Sequence, residues 1–289
     1  MQYIIEFLKA ILFGIVEGVT EWLPISSTGH MILLDEFVKL SVSQDFYDLF
    51  EMVIQLGAIL AVIVLFFHKL NPFAPSKTVQ GKKDTWSLWF KVIVAVLPSA
   101  VIGLAVDEPL DNFLRNTRFA GVTLNAIVVA VALIDYGVAF MLVEKRNQNR
   151  TLAVAETGQI TYKTALFIGA FQVLSIIPGT SRSGATILGA LLLGVGRAAG
   201  SEFSFFLAIP TMLGASALKL LKFLLSGVSA TGLEIGVLLI GCAVSFLVSL
   251  LVIKGLMEYV RKHNFAAFGI YRIVLGALVL AYFLIKSLI

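Results

Sequence analysis

Six apolar runs dominate this 289-residue sequence, and each is long enough, or nearly so, to cross a lipid bilayer as a helix. A transmembrane helix needs about 20 predominantly apolar residues. Hydrophobic residues make up 58% of the chain and charged residues 14%, whereas soluble domains carry about 25% charged residues. The pattern therefore predicts an all-α integral membrane protein. Its six predicted transmembrane helices cover residues 49–67, 88–106, 119–143, 203–225, 233–253 and 266–285.

Two further apolar regions are interrupted near their middles by proline and polar residues. The first covers residues 4–40 and contains EWLPISSTGH at 21–30, and the second covers 164–196 and contains IPGTSRSGAT at 177–186. Each flank has only about 10 to 14 residues, which is too short to span a bilayer and is typical of a re-entrant hairpin. Irregular backbone at membrane depth is tolerated only where protein buries it or where it lines a wet cavity. The two breaks therefore predict one shared polar site.

The two interrupted regions resemble each other at a constant offset of 155 residues. The matching positions are Gly14 with Gly169, Glu17 with Gln172, Ser26 with Ser181, Thr28 with Ser183 and Gly29 with Gly184. Chance recurrence of small residues is the alternative to a true repeat.

We interpret the chain as a single membrane domain, 1–289, built from two repeats. Residues 1–143 hold a re-entrant hairpin at about 4–40 followed by three spans, and residues 164–289 hold a hairpin at about 164–196 followed by three spans. Because three is an odd number, the second repeat is predicted to have inverted topology. Inverted repeats whose broken helices meet inside the membrane are a known way to build a binding site.

Lysine and arginine are concentrated in three of the loops between apolar runs, and the net charge of the chain is +4. The loops at 68–84, 144–163 and 254–263 are basic, whereas 107–118 mixes both signs and 226–232 has no basic residue. Basic loops remain on the cytoplasmic side of a membrane, so the first three are predicted to be cytoplasmic and the other two periplasmic. Since topology accounts for the positive charge, we expect no nucleic-acid partner.

Glu17 and Glu21 are four residues apart and so share one face of a helix. A carboxylate at membrane depth costs about 2.5 to 3.5 kcal/mol on insertion scales and by default indicates function. Two on one face are predicted to hold a divalent cation or to orient a base. A pair of solvated glutamates at the membrane surface is the alternative.

The first break carries Ser26, Ser27 and Thr28 after Pro24, where a new helix is predicted to begin. Hydroxyl groups there usually cap the helix, but the free N–H groups of a helix start also suit phosphate. Because Ser27 and His30 are three residues apart, a helix places them on neighbouring faces. We predict that Ser26 and Thr28 bind phosphate, that Ser27 is a nucleophile and that His30 is its base. A merely structural histidine is the alternative.

The second break carries Ser181, Arg182 and Ser183 after Pro178, again at a predicted helix start, with Thr186 one turn later. Arginine donates two parallel hydrogen bonds to phosphate oxygens from its planar guanidinium group. Facing the first break, these residues complete a predicted anion site. Arg182 is also expected to take part in catalysis as the clamp on the reacting phosphate.

Other polar and charged residues lie within the apolar runs or directly beside them. Glu51 and Glu202 are predicted either to line the cavity or to hydrogen-bond between helices. Arg272 and Asp135 are predicted to be buried charges, and the sequence assigns them no role.

At these motifs the sequence resembles the bacitracin-resistance family of undecaprenyl-pyrophosphate phosphatases. That family carries an (E/Q)xxxE segment leading into Ser-Ser-Thr-Gly-His, which here reads EGVTEWLPISSTGH at 17–30, and a PGxSRSxxT segment, which here reads PGTSRSGAT at 178–186. IQLGAILAV and SEFSFFLAIP also fit, so the resemblance covers nearly the whole chain.

The resemblance implies hydrolysis of undecaprenyl pyrophosphate to the monophosphate carrier of peptidoglycan synthesis. It also implies bacitracin resistance, because bacitracin sequesters the same lipid, and a Mg²⁺ or Ca²⁺ cofactor. The expected location is the bacterial cytoplasmic (inner) membrane, among its lipids, with the active site open to the periplasm. The residues implied in that site are Glu17, Glu21, Ser27, His30 and Arg182.

We expect Ser27 to attack the terminal phosphate, with His30 as base and Glu21 holding the cation or orienting His30. Direct attack by His30, with Ser27 only donating a hydrogen bond, is the alternative mechanism. A polyprenyl-phosphate flippase or transporter is the alternative function, because inverted repeats are common in transporters.

Overall fold

The computed structural model of the chain describes residues 2–119, 121–148, 150, 153–225 and 230–288, and these are almost entirely α-helical. The helices are α1 (Gln2–Thr20), α2 (Ser27–Phe37), α3 (Gln44–Leu65), α4 (Phe67–Leu70), α5 (Val79–Asn116), α6 (Leu124–Asn147), α7 (Tyr162–Gln172), α8 (Arg182–Leu192), α9 (Arg197–Leu225), α10 (Gly232–Lys262) and α11 (Ala266–Leu288). A small antiparallel hairpin pairs β1 (Arg118–Phe119) with β2 (Val122–Thr123), and short 3-10 helices cover Thr157–Gln159 and Val173–Ile176.

Six helices, namely α3, α5, α6, α9, α10 and α11, are long and apolar enough to cross a membrane. They coincide with the six predicted runs, so the prediction of an all-α, multi-pass membrane protein is confirmed. Some helices extend beyond the apolar run. Thus α5 begins at Val79, because the Thr78 side chain accepts a hydrogen bond from the Gly81 backbone N–H and caps the helix.

Both interrupted regions form a helix, a break and a second helix, as the positions of proline and polar residues predict. The first unit is α1 and α2, with the break at 21–26, and the second is α7 and α8, with the break at 173–181. Helices α2, α7 and α8 have 11 residues each, as predicted, whereas α1 has 19. The predicted flank length of about 10 to 14 residues is therefore wrong for α1, which runs without interruption from Gln2 to Thr20. That each unit re-enters the membrane face from which it started stays a prediction. The loop at 226–229, predicted to be periplasmic, lies outside the described residues.

Each break ends in a serine with the same unusual backbone conformation. Ser26 has φ +74° and Ser181 has φ +72°, and in the described part of the chain they are the two non-glycine residues with positive φ. Each side chain accepts a hydrogen bond from the glycine three residues later, at 3.3 Å for Gly29 and 3.1 Å for Gly184. Strained backbone of this kind persists only where surrounding structure holds it, and it concentrates at functional sites.

The helices that lead into the breaks pack against long helices through glycine. Helix α1 lies along α10, and α7 lies along α5. A Cβ atom on Gly14 would lie 2.7 Å from the Gly241 carbonyl oxygen, and one on Gly169 would lie 2.0 Å from the Ala95 carbonyl oxygen. Backbones approach this closely only where side chains are small. The two-repeat organisation itself stays a prediction, with these equivalent packings in its favour.

The two charged residues to which the sequence assigned no role differ in burial. Arg272 is fully buried on α11, as predicted. Asp135 is exposed on α6, so the prediction that it is buried is wrong. A membrane helix has both a protein-facing and an outer side, and hydropathy alone does not tell which side a charge occupies. Nothing in the structure explains the exposed carboxylate of Asp135.

Candidate active site

The two breaks lie against each other inside the helical bundle. The Ser183 hydroxyl, at the start of α8, reaches the Glu21 backbone carbonyl at 3.1 Å and the Leu23 carbonyl at 3.3 Å in the other break. Both carbonyls lack an α-helical partner because α1 ends at Thr20. Side chains of the second unit thus replace the helix hydrogen bonds that the first unit has lost, and the two predicted tips form one site.

Arg272 joins the two breaks from a third direction. Its acceptors are the backbone carbonyls of Pro24 (3.2 Å), Gly179 (2.9 Å), Thr180 (3.0 Å), Ala132 (3.3 Å) and Leu133 (3.4 Å). A guanidinium group has five N–H donors and no acceptor, so it suits the three carbonyls of the breaks, which lie outside helices, and it adds a second donor to the two carbonyls within α6. Unsatisfied carbonyls at membrane depth cost several kcal/mol each. Arg272 is therefore the residue that makes two adjacent backbone breaks tolerable in a buried position.

Gly179 is required where the second break passes α6. Its φ is +88°, and a Cβ atom there would lie 2.6 Å from the Val129 carbonyl oxygen. Both the backbone conformation and the space exclude other residues. This close approach holds the carbonyls of Gly179 and Thr180 within reach of Arg272.

A continuous chain of short contacts links Arg182, Glu21 and Ser27. The Ser27 hydroxyl donates to Glu21 Oε2 at 2.8 Å. The other carboxylate oxygen, Oε1, accepts from Arg182 Nη2 at 2.7 Å. Both side chains of this ion pair are about one-tenth exposed, at 8% for Glu21 and 11% for Arg182. The structure thus brings the predicted nucleophile, a carboxylate and the predicted phosphate clamp into direct contact, across the two breaks.

Arg182 keeps an unused donor in this arrangement. Its Nη1 donates to the Ser204 carbonyl at 2.9 Å, and its guanidinium carbon lies 5.6 Å from the centre of the Trp22 ring. Its Nε is buried without a hydrogen-bond partner among the described residues. Buried polar groups are nearly always satisfied, so an unpaired donor calls for a partner that is absent from the protein itself. A phosphate oxygen meets that need.

Glu17 is the second unsatisfied group. Its side chain is 1% exposed, and Oε1 has no hydrogen-bond partner among the described residues. It interacts electrostatically with Glu21, Glu51 and Arg182. Glu17 and Glu21 beside Arg182 leave an excess of negative charge in a buried place, which a cation or a proton must balance.

The donors available for a metal are few. In the described part of the chain, no group of three or more His, Cys, Asp or Glu side chains is arranged to hold an ion. Mg²⁺ is often held by one or two carboxylates together with substrate phosphates and water. The free oxygen of Glu17 fits such a site. Each oxygen of Glu21 already accepts one hydrogen bond and keeps a further lone pair, so Glu21 fits the site as a ligand that the cation would share with Arg182 and Ser27.

His30 is held apart from Ser27. Its Nδ1 lies 2.7 Å from the Ser26 carbonyl oxygen, and its Nε2 lies 2.7 Å from the Tyr271 hydroxyl on α11. Among the described residues, no hydrogen bond connects His30 with Ser27. The proton acceptor that the structure offers Ser27 is Glu21. The role of His30 as base for Ser27 stays a prediction that these contacts do not support.

The other predicted phosphate-binding residues differ in access. Ser26 is fully buried as the cap of α2, and Thr28 is exposed. The Ser181 and Ser183 hydroxyls are 3.1 Å apart. Thr186 is fully buried, and its hydroxyl bonds with the Ser204 hydroxyl at 2.6 Å. Thr28 thus offers a hydroxyl to a ligand directly, whereas Thr186 holds the second break.

A cavity of about 550 Å³ adjoins the site. Thr28 and Pro178 line it where the two breaks meet, and Glu51 lines it from α3, where Glu51 accepts a hydrogen bond from Tyr47 at 3.0 Å. The remaining lining comes mainly from the ends of α2, α3, α5, α6 and α11, with Asp35, Glu36, Asp111, Arg115, Arg118 and Lys286. The cavity therefore opens at the end of the bundle that is predicted to be periplasmic.

Glu202 lies elsewhere. It pairs with Lys69 and accepts a hydrogen bond from Thr157 at 2.6 Å. Both partners belong to loops predicted to be cytoplasmic. Of the two interpretations that the sequence leaves open, bonding between segments is confirmed for Glu202, and lining of the cavity is confirmed for Glu51.

Sequence reasoning missed Tyr271 and left Arg272 without a role. Both lie on α11 and contact residues more than 90 positions away in sequence. An arginine inside an apolar run indicates a functional or structural role. Its partners cannot be predicted from the sequence, because they are backbone carbonyls, which every residue has. Tyr271 carries no signal, because tyrosine is common in membrane helices.

Comparison with known proteins identifies the family of the chain. The family described as "Bacitracin resistance protein BacA" matches residues 10–278. A protein of Enterococcus faecalis named "Undecaprenyl-diphosphatase" is 55% identical over 276 residues, which cover 96% of this chain and 97% of the relative. A protein of the same name from Streptococcus thermophilus is 53% identical over 285 residues, covering 99% and 96%. "Undecaprenyl-diphosphatase 1" of Clostridioides difficile is 55% identical over 280 residues, covering 97% of each chain. The chain therefore belongs to the bacitracin resistance protein BacA family.

Proposed function

We propose that the protein hydrolyses undecaprenyl pyrophosphate to undecaprenyl phosphate and inorganic phosphate. The observation that carries this function is the Arg182–Glu21–Ser27 contact chain, which joins an anion clamp, a carboxylate base and a hydroxyl nucleophile beside an unpaired guanidinium donor. A transporter needs no hydroxyl held on a buried carboxylate. The relatives named above carry the same activity in their names.

In the first half-reaction, Ser27 Oγ attacks the terminal phosphorus. The Oγ–P bond forms while the bond from that phosphorus to the bridging oxygen breaks, so undecaprenyl phosphate leaves. The Ser27 proton passes to Glu21 Oε2, which already accepts its hydrogen bond at 2.8 Å. Once Glu21 is neutral, the charge of Arg182 is available to the phosphate oxygens, and such stabilisation is the main part of phosphoryl-transfer catalysis.

In the second half-reaction, a water molecule attacks the phosphoserine and the Oγ–P bond breaks. Ser27 recovers its proton from Glu21, and the proton of the water passes to a separate base. His30 is the candidate for that base, because it lies one turn from Ser27 and is not engaged with it. Direct attack by His30 is not favoured, because Nε2 is already paired with Tyr271.

A divalent cation, Mg²⁺ or Ca²⁺, is proposed at Glu17, with Glu21 as a second carboxylate. When bound, the cation supplies positive charge to the oxygens of the pyrophosphate. The support on the protein side is the buried, unpaired Oε1 of Glu17. Thr28, which lines the cavity, is proposed to contact the phosphates there, and the Ser181–Ser183 pair is proposed to contact them from the second break, while the other predicted residues hold the two breaks in shape.

The proposed setting is the bacterial cytoplasmic (inner) membrane, with the cavity on the periplasmic side. There the enzyme recycles the lipid carrier of peptidoglycan synthesis within a layer of membrane lipids. Bacitracin is proposed to act against it only indirectly, by sequestering the lipid substrate. The position of the cavity, at the end of the bundle away from the basic loops, supports this orientation.

Orientation can be tested with single cysteines at Arg146 and Asn112, both exposed, in a Cys242→Ser background. We expect an impermeant thiol reagent applied to intact cells to label position 112 and not position 146, because basic loops remain inside. Labelling of both after cell lysis is the control for reactivity. Labelling of position 146 in intact cells would contradict the proposed orientation and the inverted repeat.

Phosphate release separates the proposed enzyme from a flippase. Purified protein in detergent, given undecaprenyl pyrophosphate, is expected to release one inorganic phosphate per lipid, since no membrane is needed for hydrolysis. EDTA is expected to stop the release, and added Mg²⁺ or Ca²⁺ to restore it. Absence of phosphate release at any cation concentration, together with lipid transfer between the leaflets of vesicles, would instead favour the flippase.

The cation site is tested in the same assay with Glu17→Gln. We expect this variant to need a higher Mg²⁺ concentration for half-maximal activity, because it loses the free carboxylate oxygen. Glu6→Gln is the matched control, since Glu6 is also a buried glutamate of α1 but is paired with Lys9 and Ser41. An unchanged Mg²⁺ requirement in Glu17→Gln would remove Glu17 from the cation site.

A further inference from the structure

His30 has both ring nitrogens engaged, and the partners determine which nitrogen carries the proton. Nδ1 lies 2.7 Å from the Ser26 backbone carbonyl oxygen. A carbonyl oxygen only accepts hydrogen bonds, so Nδ1 must be the protonated nitrogen. In the neutral ring, Nε2 is then the nitrogen with the free electron pair. That electron pair faces the Tyr271 hydroxyl at 2.7 Å, and the hydroxyl donates to it.

The two rings are also fixed in orientation. The His30 and Tyr271 rings are parallel to within 3°, with centroids 5.7 Å apart. Tyr271 precedes Arg272, which makes five hydrogen bonds to the two breaks and to α6. The hydroxyl of Tyr271 is therefore held in place by the same part of α11 that holds the breaks together.

This arrangement separates the base of the first half-reaction from that of the second. Ser27 donates to Glu21, and the electron pair of His30 points to Tyr271 rather than to Ser27. Tyr271 is 44% exposed, so its side chain is not enclosed by the protein. A tyrosine hydroxyl that donates to histidine can at the same time accept a hydrogen bond from water.

We propose that Tyr271 is a positioning residue that holds His30 in the Nδ1–H form, with Nε2 as the base for hydrolysis of phosphoserine. In that step the oxygen of water bonds to phosphorus, the Ser27 Oγ–P bond breaks, and the proton released by water reaches His30 Nε2 through the Tyr271 hydroxyl. Ser27 recovers the proton held by Glu21, and the proton on His30 returns to solvent. This inference rests on the proposed phosphatase function.

The hydrogen bond itself is tested without turnover. The chain has three histidines, so ¹⁵N-histidine labelling gives three pairs of ring-nitrogen signals, and His30→Gln identifies the pair of His30. In the unmodified protein we expect a protonated Nδ1 and an unprotonated Nε2. In Tyr271→Phe we expect the chemical shift of Nε2 to move to that of an unprotonated ring nitrogen that accepts no hydrogen bond. A protonated Nε2 in the unmodified protein would overturn the proposal, whether or not the protein proves to be a phosphatase.

The role of Tyr271 in the hydrolysis of phosphoserine is tested by measuring turnover and by trapping phosphoserine. We expect Tyr271→Phe to lower kcat by roughly 10-fold to 100-fold, the range seen when a group that orients a functional histidine is removed, with KM little changed. Phosphoserine should accumulate on the variant, because its formation uses Glu21 and only its hydrolysis is slowed. Tyr282→Phe is the matched control on α11, where the hydroxyl bonds with Glu36 outside the site.

The outcomes separate the two hypotheses. Failure of the unmodified protein to release phosphate would defeat the proposed function, while the ring signals would still decide the histidine contact. Release by the unmodified protein with unchanged kcat in Tyr271→Phe would defeat the positioning role alone. Loss of phosphoserine formation in Tyr271→Phe would defeat the assignment of His30 and Tyr271 to the second half-reaction.

Discussion

Replacing Ser27 with alanine, or Glu21 with glutamine, is expected to lower phosphate release by at least roughly 10², and the double variant is expected to be little worse than either. The reason is that the Ser27 hydroxyl and the Glu21 carboxylate form one unit, joined by a 2.8 Å hydrogen bond. Removing one member of such a unit lowers catalytic activity nearly as much as removing both. The measurement is kcat for phosphate release by purified variants with intact elution profiles.

A matched control exists in the same half of the chain. The Ser41 hydroxyl donates to the buried Glu6 at 3.0 Å, away from the breaks, so Ser41→Ala removes the same kind of bond and is expected to retain activity. Additive losses in the Ser27→Ala, Glu21→Gln double variant would show that the two residues act separately. Normal turnover in Ser27→Ala would remove it as nucleophile and leave attack by water or by His30.

Trapping distinguishes the possible nucleophiles by chemistry. Phosphoserine survives acid, whereas phosphohistidine does not, so acid quenching with a terminally labelled substrate is expected to leave label on Ser27. Arg182→Lys is expected to form little labelled enzyme, because a single ammonium group cannot replace the planar guanidinium that contacts Glu21, Ser204 and the phosphate together. Wild-type labelling in Arg182→Lys would contradict its role as clamp.

Replacing Arg272 with leucine is expected to lower the free energy of unfolding by about 3 kcal/mol or more and to abolish activity. The carbonyls of Pro24, Gly179 and Thr180, which lie outside the helices, lose their donor, and each buried group left unsatisfied costs about 1–3 kcal/mol. For a chain of this size, the thermal midpoint in detergent should fall by roughly 5 °C or more. Arg272→Lys should be intermediate, since an ammonium group has three donors.

The control for this loss is Arg261→Leu, because Arg261 is an exposed arginine at the end of α10. It is expected to change the midpoint little, as surface substitutions usually do. An Arg272→Leu variant with an unchanged midpoint would contradict the interpretation that this residue compensates for the two breaks. An unchanged midpoint with lost activity would assign Arg272 to catalysis instead.

Much of the fold follows from local properties of the sequence. The six spans can be predicted from the sequence, because a segment of about 20 successive apolar residues crosses a bilayer as a helix. The breaks are readable because Pro24 and Pro178 interrupt apolar runs together with clusters of hydroxyl groups. The pairing of the two breaks in one site was also predictable, since polar groups at membrane depth must satisfy one another.

The contacts inside the site were not predictable in the same way. Spacing along a helix places Ser27 near His30, yet the Ser27 hydroxyl bonds with Glu21, because the chain turns between 21 and 26 and returns the carboxylate to the start of α2. Sequence spacing describes neighbours within one helix. It does not describe a turn whose path depends on carbonyls bound by distant side chains.

The sequence by itself determined the membrane class, the number of spans, the two breaks and the residue types at their tips, because each of these depends on hydrophobicity or on backbone chemistry within about 20 residues. Only the tertiary structure decided that Arg182 pairs with Glu21 across 161 positions, that Tyr271 holds His30 and that Arg272 joins both breaks. These contacts depend on which side of α8 and α11 faces the breaks. That is set by the packing of whole helices, which no local pattern records.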